Sequence, residues 1–266
     1  LALFYRDGRY LAMGAAGVFE STDAITWTQT SEKQFTLGKL ASGHGAHVFA
    51  GWTHSHHSTD LVTWQDLSVD LQDVVFDGTA FVGTNANGIH RSIDGLEWTK
   101  VDDLVAAFLL QGNGVTIAIN ESSWVKKSTD GVNWVELGYS GFSVPWRAMV
   151  AAGRFLVWSR DGWLMESSDG ASWTRKWKPL TSVQYLNLSG MAHGEGLTVA
   201  FGQDSFLVVD GHGGYQFNLS GSPRGQLYDG HRFLFTSSNG DLFATSQLSP
   251  DFDASTWSTE FKVSKP

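Results

Sequence analysis

Short apolar runs, each broken by a glycine-bearing turn, recur from one end of the chain to the other. Asp73-Val74-Val75-Phe76, Ala80-Phe81-Val82-Gly83 and Ile89-His90-Arg91-Ser92 form one such series, with a further strand starting near Trp98. No segment keeps a helical period of apolar positions over 11 residues, so the runs predict strands. The turns are Asp7-Gly8, Gly43-His44-Gly45, Asp77-Gly78, Gly112-Asn113-Gly114, Ala152-Gly153, Gly194-Glu195-Gly196 and Asp229-Gly230. Such two-residue connections favour hairpins because their positive φ values match the twist of the flanking strands. Seven turns predict seven units, each a four-stranded antiparallel meander.

A second mark follows each turn. Ser21-Thr22-Asp23-Ala24-Ile25-Thr26-Trp27 returns as Ser58-Thr59-Asp60 to Trp64, Ser92-Ile93-Asp94-Gly95 to Trp98, Ser128-Thr129-Asp130-Gly131 to Trp134, and Ser167-Ser168-Asp169-Gly170 to Trp173. A sixth copy, Asp251-Phe252-Asp253-Ala254 to Trp257, replaces the Ser by Asp. The tryptophans are 37, 34, 36 and 39 residues apart, and then 84, twice 42. That last gap predicts a degenerate copy, placed at Tyr215-Gln216-Phe217 after Asp210-Gly211.

The predicted units cover residues 1–30, 36–68, 71–102, 104–138, 146–177, 186–219 and 224–262. One small meander cannot cover its own faces, whereas copies packed radially bury both faces and protect their edges. The fold class that follows is all-β: a seven-bladed β-propeller of four-stranded antiparallel blades, a single domain over residues 1–266. The seventh unit reads as complete by Thr259-Glu260-Phe261, so closure is expected without a strand borrowed from the N-terminus. In each motif the Asp is expected to accept backbone N–H bonds across the turn between third and fourth strands, and the Trp to pack between blades. Recurrence in every blade assigns Ser21, Asp23, Trp27, Asp60, Trp64, Asp94, Trp98, Asp130, Trp134, Asp169, Trp173, Asp253 and Trp257 to the scaffold, since a ligand site needs its residues in one place.

The Ser-x-Asp-Gly-x-x-Trp tracts resemble Asp-boxes, the repeats of sialidase-like and bacterial-neuraminidase-repeat propellers. These copies are one residue shorter than the usual pattern, and Ala24, Leu61 and Ala254 stand where it has Gly. The resemblance implies ligand sites on the face opposite the motif turns, which carries the second-to-third-strand loops and the connections between blades. Candidate loops there are Asn85-Ala86-Asn87, Asn120 to Trp124, Ser159 to Trp163, Gln203-Asp204-Ser205 and Ser237 to Gly240. The longest connections between units hold Tyr139 to Arg147 and Lys176 to Tyr185.

Composition narrows the partner. The chain has 266 residues, 42% hydrophobic, which is enough for a large core, yet only 17% are charged and the net charge is -9. No basic run is longer than Lys126-Lys127, so nucleic acid and anionic membrane are poor partners. No apolar stretch approaches 18 residues and no signal peptide is visible, so the chain is not expected to span a membrane. The first residue is Leu1 rather than Met, which fits a processed or excised piece. With no cysteine there is neither disulfide nor thiolate-zinc site.

Twelve tryptophans are the unusual feature. Six lie outside the motif, namely Trp52, Trp124, Trp146, Trp158, Trp163 and Trp177, and five of these fall in units 4 and 5. Indole faces stack on sugars and anchor protein interfaces, and Arg147, Arg160 and Asp161 can add directional hydrogen bonds. Trp124, Trp146, Trp163, Trp177, Arg147, Arg160 and Asp161 are therefore the candidate ligand contacts. The alternative reading has Trp124, Trp158 and Trp163 filling gaps between blades. His54-Ser55-His56-His57 puts His54 and His56 on one side of a strand, too few ligands for a metal, and reads as an exposed polar strand. The Gly-x-Gly pieces at Gly43, Gly194 and Gly211 precede no helix and read as hairpin turns rather than phosphate loops. Asn120, Asn187 and Asn218 head glycosylation acceptor triplets. No cofactor and no metal are expected.

Three functional classes follow. Compact blades with tight turns present a rigid rim, which suits a non-enzymatic module binding a glycan or a protein. Lectin-like or surface interaction modules of this kind belong outside the cell, in a secreted protein, a phage particle or another larger assembly. A sialidase-like activity is not expected, because the Arg-Ile-Pro tract is absent and Arg6 precedes Asp7-Gly8. A glycoside hydrolase like the seven-bladed Asp-box glucanases needs two carboxylates flanking the bond, and nothing pairs Asp103, Glu121, Asp161 or Asp204. An assembly scaffold resembling the seven-bladed photosystem assembly factors would present Arg-lined patches, and the basic residues here are dispersed.

Overall fold

The computed structural model describes residues 2–6, 8–177, 190–202, 205–209, 214–218, 223–237 and 242–245. They form seven antiparallel sheets, each a meander in chain order. Six have four strands and span residues 2–31, 38–66, 73–102, 108–139, 145–177 and 190–218; the seventh, residues 223–245, has three. Among the described residues, six of the expected seven four-stranded blades are found, and a three-stranded sheet stands in the seventh place. The strand expected to complete it begins near Trp257, which with Asp253 and the Asp210-Gly211 pair lies outside the described residues. The N-terminal strand Ala2–Arg6 stays in its own sheet, paired with Arg9–Gly14.

The first strand of each sheet touches the first strands on either side all the way round, so these seven strands line the axis. The ring closes where the seventh sheet meets the first. Leu3, Tyr10, Ala12 and Ala24 pack there against Leu234, Leu242 and Ala244. Across the same seam the Tyr10 hydroxyl donates to Asp229 Oδ2 at 2.6 Å, and Arg232 reaches both that carboxylate at 3.1 Å and the Asp23 carbonyl at 2.8 Å. A buried carboxylate needs such partners, and here they come from both sides of the seam.

Each of the five described Ser-x-Asp turns is a closed cage. The Ser Oγ donates to Asp Oδ1 at 2.9–3.0 Å and accepts the amide three residues on at 2.8–2.9 Å. The same Oδ1 accepts the amides two and three residues beyond the Asp at 2.7–3.1 Å. Those amides lower the carboxyls; Asp23 and Asp60 are held at about 2. In four blades the motif Trp donates Nε1 to the carbonyl three residues back at 3.0–3.1 Å, while Trp134 Nε1 has no partner among the described residues. All five indoles pack against clusters between adjacent sheets.

The residue after each Asp is left-handed, with φ between 62° and 81°. At Gly95 and Gly170 a Cβ would meet Val48 at 2.6 Å and Ile117 at 2.2 Å, so the neighbouring blade leaves room for nothing larger. Ala24 and Leu61 take the same strained conformation, at roughly 1–2 kcal/mol, and their side chains fill the gaps between blades that glycine would leave.

A cage carboxyl with its pKa lowered stabilises the fold above the ordinary carboxylate value and loses that stabilisation as pH falls toward the lowered one. Asp60→Ala is therefore expected to reduce the thermal midpoint at pH 7, with the deficit from the parent narrowing between about pH 4 and pH 2. A thermal-unfolding series over pH checks this, and a deficit independent of pH contradicts it.

Candidate functional site

The motif turns share one face with the hairpins between first and second strands. The Asn113 side-chain amide, in such a hairpin, donates to the carbonyls of Gly153 and Ser168 of the next blade at 2.8 and 2.9 Å. The opposite face carries the remaining loops, and at the junction of the fourth and fifth blades they knit together. Asn120 Oδ1 accepts the amides of Ser122 and Trp124, each at 2.9 Å, fixing the loop before the strand Trp124–Ser128. Ser123, almost fully buried, donates its hydroxyl to Ser143 and accepts the Ser140 amide on its carbonyl. From the fifth blade, the Arg160 amide bonds the Val144 carbonyl and the Asp161 amide bonds Ser143 Oγ. Residues 140–144 thus bridge two loops and run from the outer strand Val135–Tyr139 inward to Pro145–Ala151 on the axis.

Along this radial track, Trp124 pairs across strands with Tyr139; they are 44% and 60% exposed, although the interior has ample apolar partners. Val144, 38% exposed, continues the apolar surface. Farther in, a bulge between Pro145 and Arg147 leaves Trp146 as the extra residue. The Trp146 ring packs against the cluster between the fifth and sixth blades, and Arg160 lies over it at 4.7 Å. Arg147 is partly buried, donates to the Trp146 carbonyl at 2.7 Å, and burial lowers its pKa.

Trp124, Trp146, Arg147, Arg160 and Asp161 thus all fall at this junction, where Arg160 contacts the Trp146 ring and Arg147 the Trp146 carbonyl. Asp161 accepts the Ser159 hydroxyl at 2.5 Å. Trp163 instead packs on the core between the fourth and fifth blades with Arg175 over its ring at 5.3 Å, and Trp158 is 1% exposed. The side chain of Trp177 and residues 178–185 lie outside the described residues. Of the carboxylates considered for hydrolysis, Asp103 bridges Lys100 at 2.6 Å, Glu121 is exposed, and Asp204 is outside the described residues.

The histidine tract needs correction. His56 and His57 are 5% and 4% exposed, not an exposed strand; Asp66 caps the His56 ring at 2.8 Å and Phe35 and Phe49 flank it. Two features escaped the sequence reading. Tyr139 was visible only as the start of a connection, because its partnership with Trp124 is a matter of strand register. A cavity of about 440 Å³ between the second and third blades, lined by His44, His57, Ile93 and Leu96, opens on the motif face. The exposed aliphatics Ile93 and Leu96 beside Asp94 were its signal.

No protein-family model and no curated protein matches the sequence. Solved structures do match in shape. One described as YCF48 bound to D1 peptide aligns with a TM-score of 0.66 at 13% identity over 94% of this chain and 93% of that one. The chain is a β-propeller. A GH74 enzyme of Niastella koreensis aligns at 0.63 and 16% identity over 94% of this chain but 43% of that one. The nidogen/laminin complex aligns at 0.51 and 11% identity over 89% and 88%. At these identities the likeness is one of fold.

Exposure separates the tryptophans energetically. Trp158→Ala is expected to cost about 3–5 kcal/mol of stability as a core truncation, and Trp124→Ala no more than about 1 kcal/mol. Denaturant unfolding of the two variants checks the split, and similar losses would contradict it.

Proposed function

We propose that this propeller is a non-enzymatic recognition module that holds an extended peptide segment of a protein partner on the face opposite its motif turns. The observation carrying this reading is the exposed Trp124–Tyr139 pair on a corner fixed by hydrogen bonds from two blades. Exposed aromatics on a rigid base lose little freedom on binding, which is what interface anchors require. Two structures of like fold support a polypeptide partner, one described with a bound D1 peptide and one as a nidogen/laminin complex. We take the ring to be seven-bladed and of the Asp-box type, and its setting to be a surface or a larger assembly.

A glycan is the second reading, favoured by the open indole of Trp124 on which a sugar ring can stack. The polar surroundings argue less well for it. Asn120 Oδ1 is consumed by two amides, Asp161 by Ser159, and the Trp146 ring is covered by Arg160. Hydrolysis has its support in the GH74 likeness of fold and no carboxylate pair assembled on the track.

Selection from a displayed random-peptide library, run beside a glycan array, tests the proposal. Peptides are expected to enrich, and Trp124→Ala and Tyr139→Ala to weaken them by about 2 kcal/mol each, roughly thirtyfold, with the unfolding midpoint unchanged. Reproducible sugar hits with no peptide enrichment would replace this reading with a lectin.

A further inference from the structure

Among the inner-strand side chains that the structure describes, two cations stand at one level of the ring. Lys39 pairs with Ala50 and Arg147 with Trp158, each the fifth residue of its strand counted back from the hairpin. Lys39 is answered: its ammonium sits 3.0 Å from the buried carboxylate of Asp73 and 2.9 Å from the Leu109 carbonyl. Arg147 is not. The corresponding residues on the strands flanking it are Phe108 and Gly190. Its hydrogen bond goes to the carbonyl of its own neighbour Trp146, and no carboxylate among the described residues pairs with it.

A half-buried guanidinium whose fork meets one carbonyl and no carboxylate among the described residues is unfavourable unless something anionic completes it. The bulge at Trp146 makes this corner the irregular point of an otherwise regular ladder. Arg160 adds a second cation over the Trp146 ring, again with no ion pair among the described residues. In a chain of net charge -9, two arginines that contact one tryptophan, one at its ring and one at its carbonyl, and that form no ion pair among the described residues are an anomaly of placement. They stand at the inner end of the track that begins at Trp124 and Tyr139.

We propose that the ligand is an acidic peptide and that one of its carboxylates is bound by the Arg147 fork at the axial end of the track, beside Arg160. This rests on the peptide-binding reading above and names its ligand class. The planar fork matches a carboxylate through two parallel N–H···O bonds, which an ammonium cannot reproduce. The apolar outer half of the track, Trp124, Tyr139 and Val144, calls for hydrocarbon side chains next to that carboxylate, as in a peptide rather than a uronic acid.

The test uses the C-terminal amides N-acetyl-leucyl-glutamyl-amide and N-acetyl-leucyl-glutaminyl-amide, so that the side-chain carboxylate is the single difference between them, with glucuronic acid and glucose as further probes and the Arg147 Nε–H resonance followed by NMR. The glutamate peptide is expected to shift that resonance saturably, at least tenfold more tightly than the glutamine peptide. Arg147→Gln should abolish the preference for acid over amide, and Arg147→Lys should restore only part of it, circular dichroism confirming that both variants fold. Trp124→Ala should weaken both peptides alike and leave their ratio intact, so loss of the aromatic anchor and loss of the carboxylate receptor are told apart. Equal responses to acid and amide, or an acid preference that survives Arg147→Gln, would overturn the proposal. So would glucuronic acid binding at Arg147 while the glutamate peptide is silent.

Discussion

The bond on which this structure most depends joins an Asp carboxylate oxygen to two backbone amides and a Ser hydroxyl at the tip of every described motif turn. A four-stranded blade is too small to hold its outer strand by ladder bonds alone. The cage fixes where the third strand ends and the fourth begins, and so delivers the motif Trp to the seam between blades. Register, seam packing and ring curvature all follow from that placement. The carboxylate remains at the surface, where its charge is not desolvated and its hydrogen bonds keep it ionised far into acid.

Concentrating the repeated chemistry on one face leaves the other free to vary. There the loops differ from blade to blade, and at the fourth and fifth blades the connection 140–144 ties two of them together. The connection 140–144 is held by both neighbours, so the exposed aromatics stand on a support as rigid as a strand. The inner ring shows a contrast of its own, with Lys39 neutralised by Asp73 and Arg147 paired with no carboxylate among the described residues.

The architecture was legible because propellers write their period into the chain: the Asp-Gly and Asn-Gly hairpins and the Ser-x-Asp turns each mark a boundary set by local backbone geometry. The side chains of Ala24 and Leu61 in the left-handed position looked like erosion of a glycine motif, and their packing into the seams explains them. The strand count was less legible, since six four-stranded sheets and one of three are described. The site was half legible. Composition pointed to the tryptophans of units 4 and 5, yet indole by indole their roles diverge with burial, from Trp158 in the core to Trp124 in the open. Which rings are covered depends on Arg160 and Arg175 crossing from other strands, contacts between residues that no local pattern relates. His56 read as surface for a similar reason, because its cover comes from Phe35, Phe49 and Asp66.

Native-state hydrogen exchange tests the central claim most directly. The amides of Ile25, Val62, Leu96, Val132 and Ala171 lie in exposed turns, and each is bound by a motif carboxylate. The account predicts that these surface amides exchange as slowly as the strands they join, opening with the blade rather than ahead of it. Exchange at the free-peptide rate would contradict it, because the turns would then be decoration on a ring held by its seams alone.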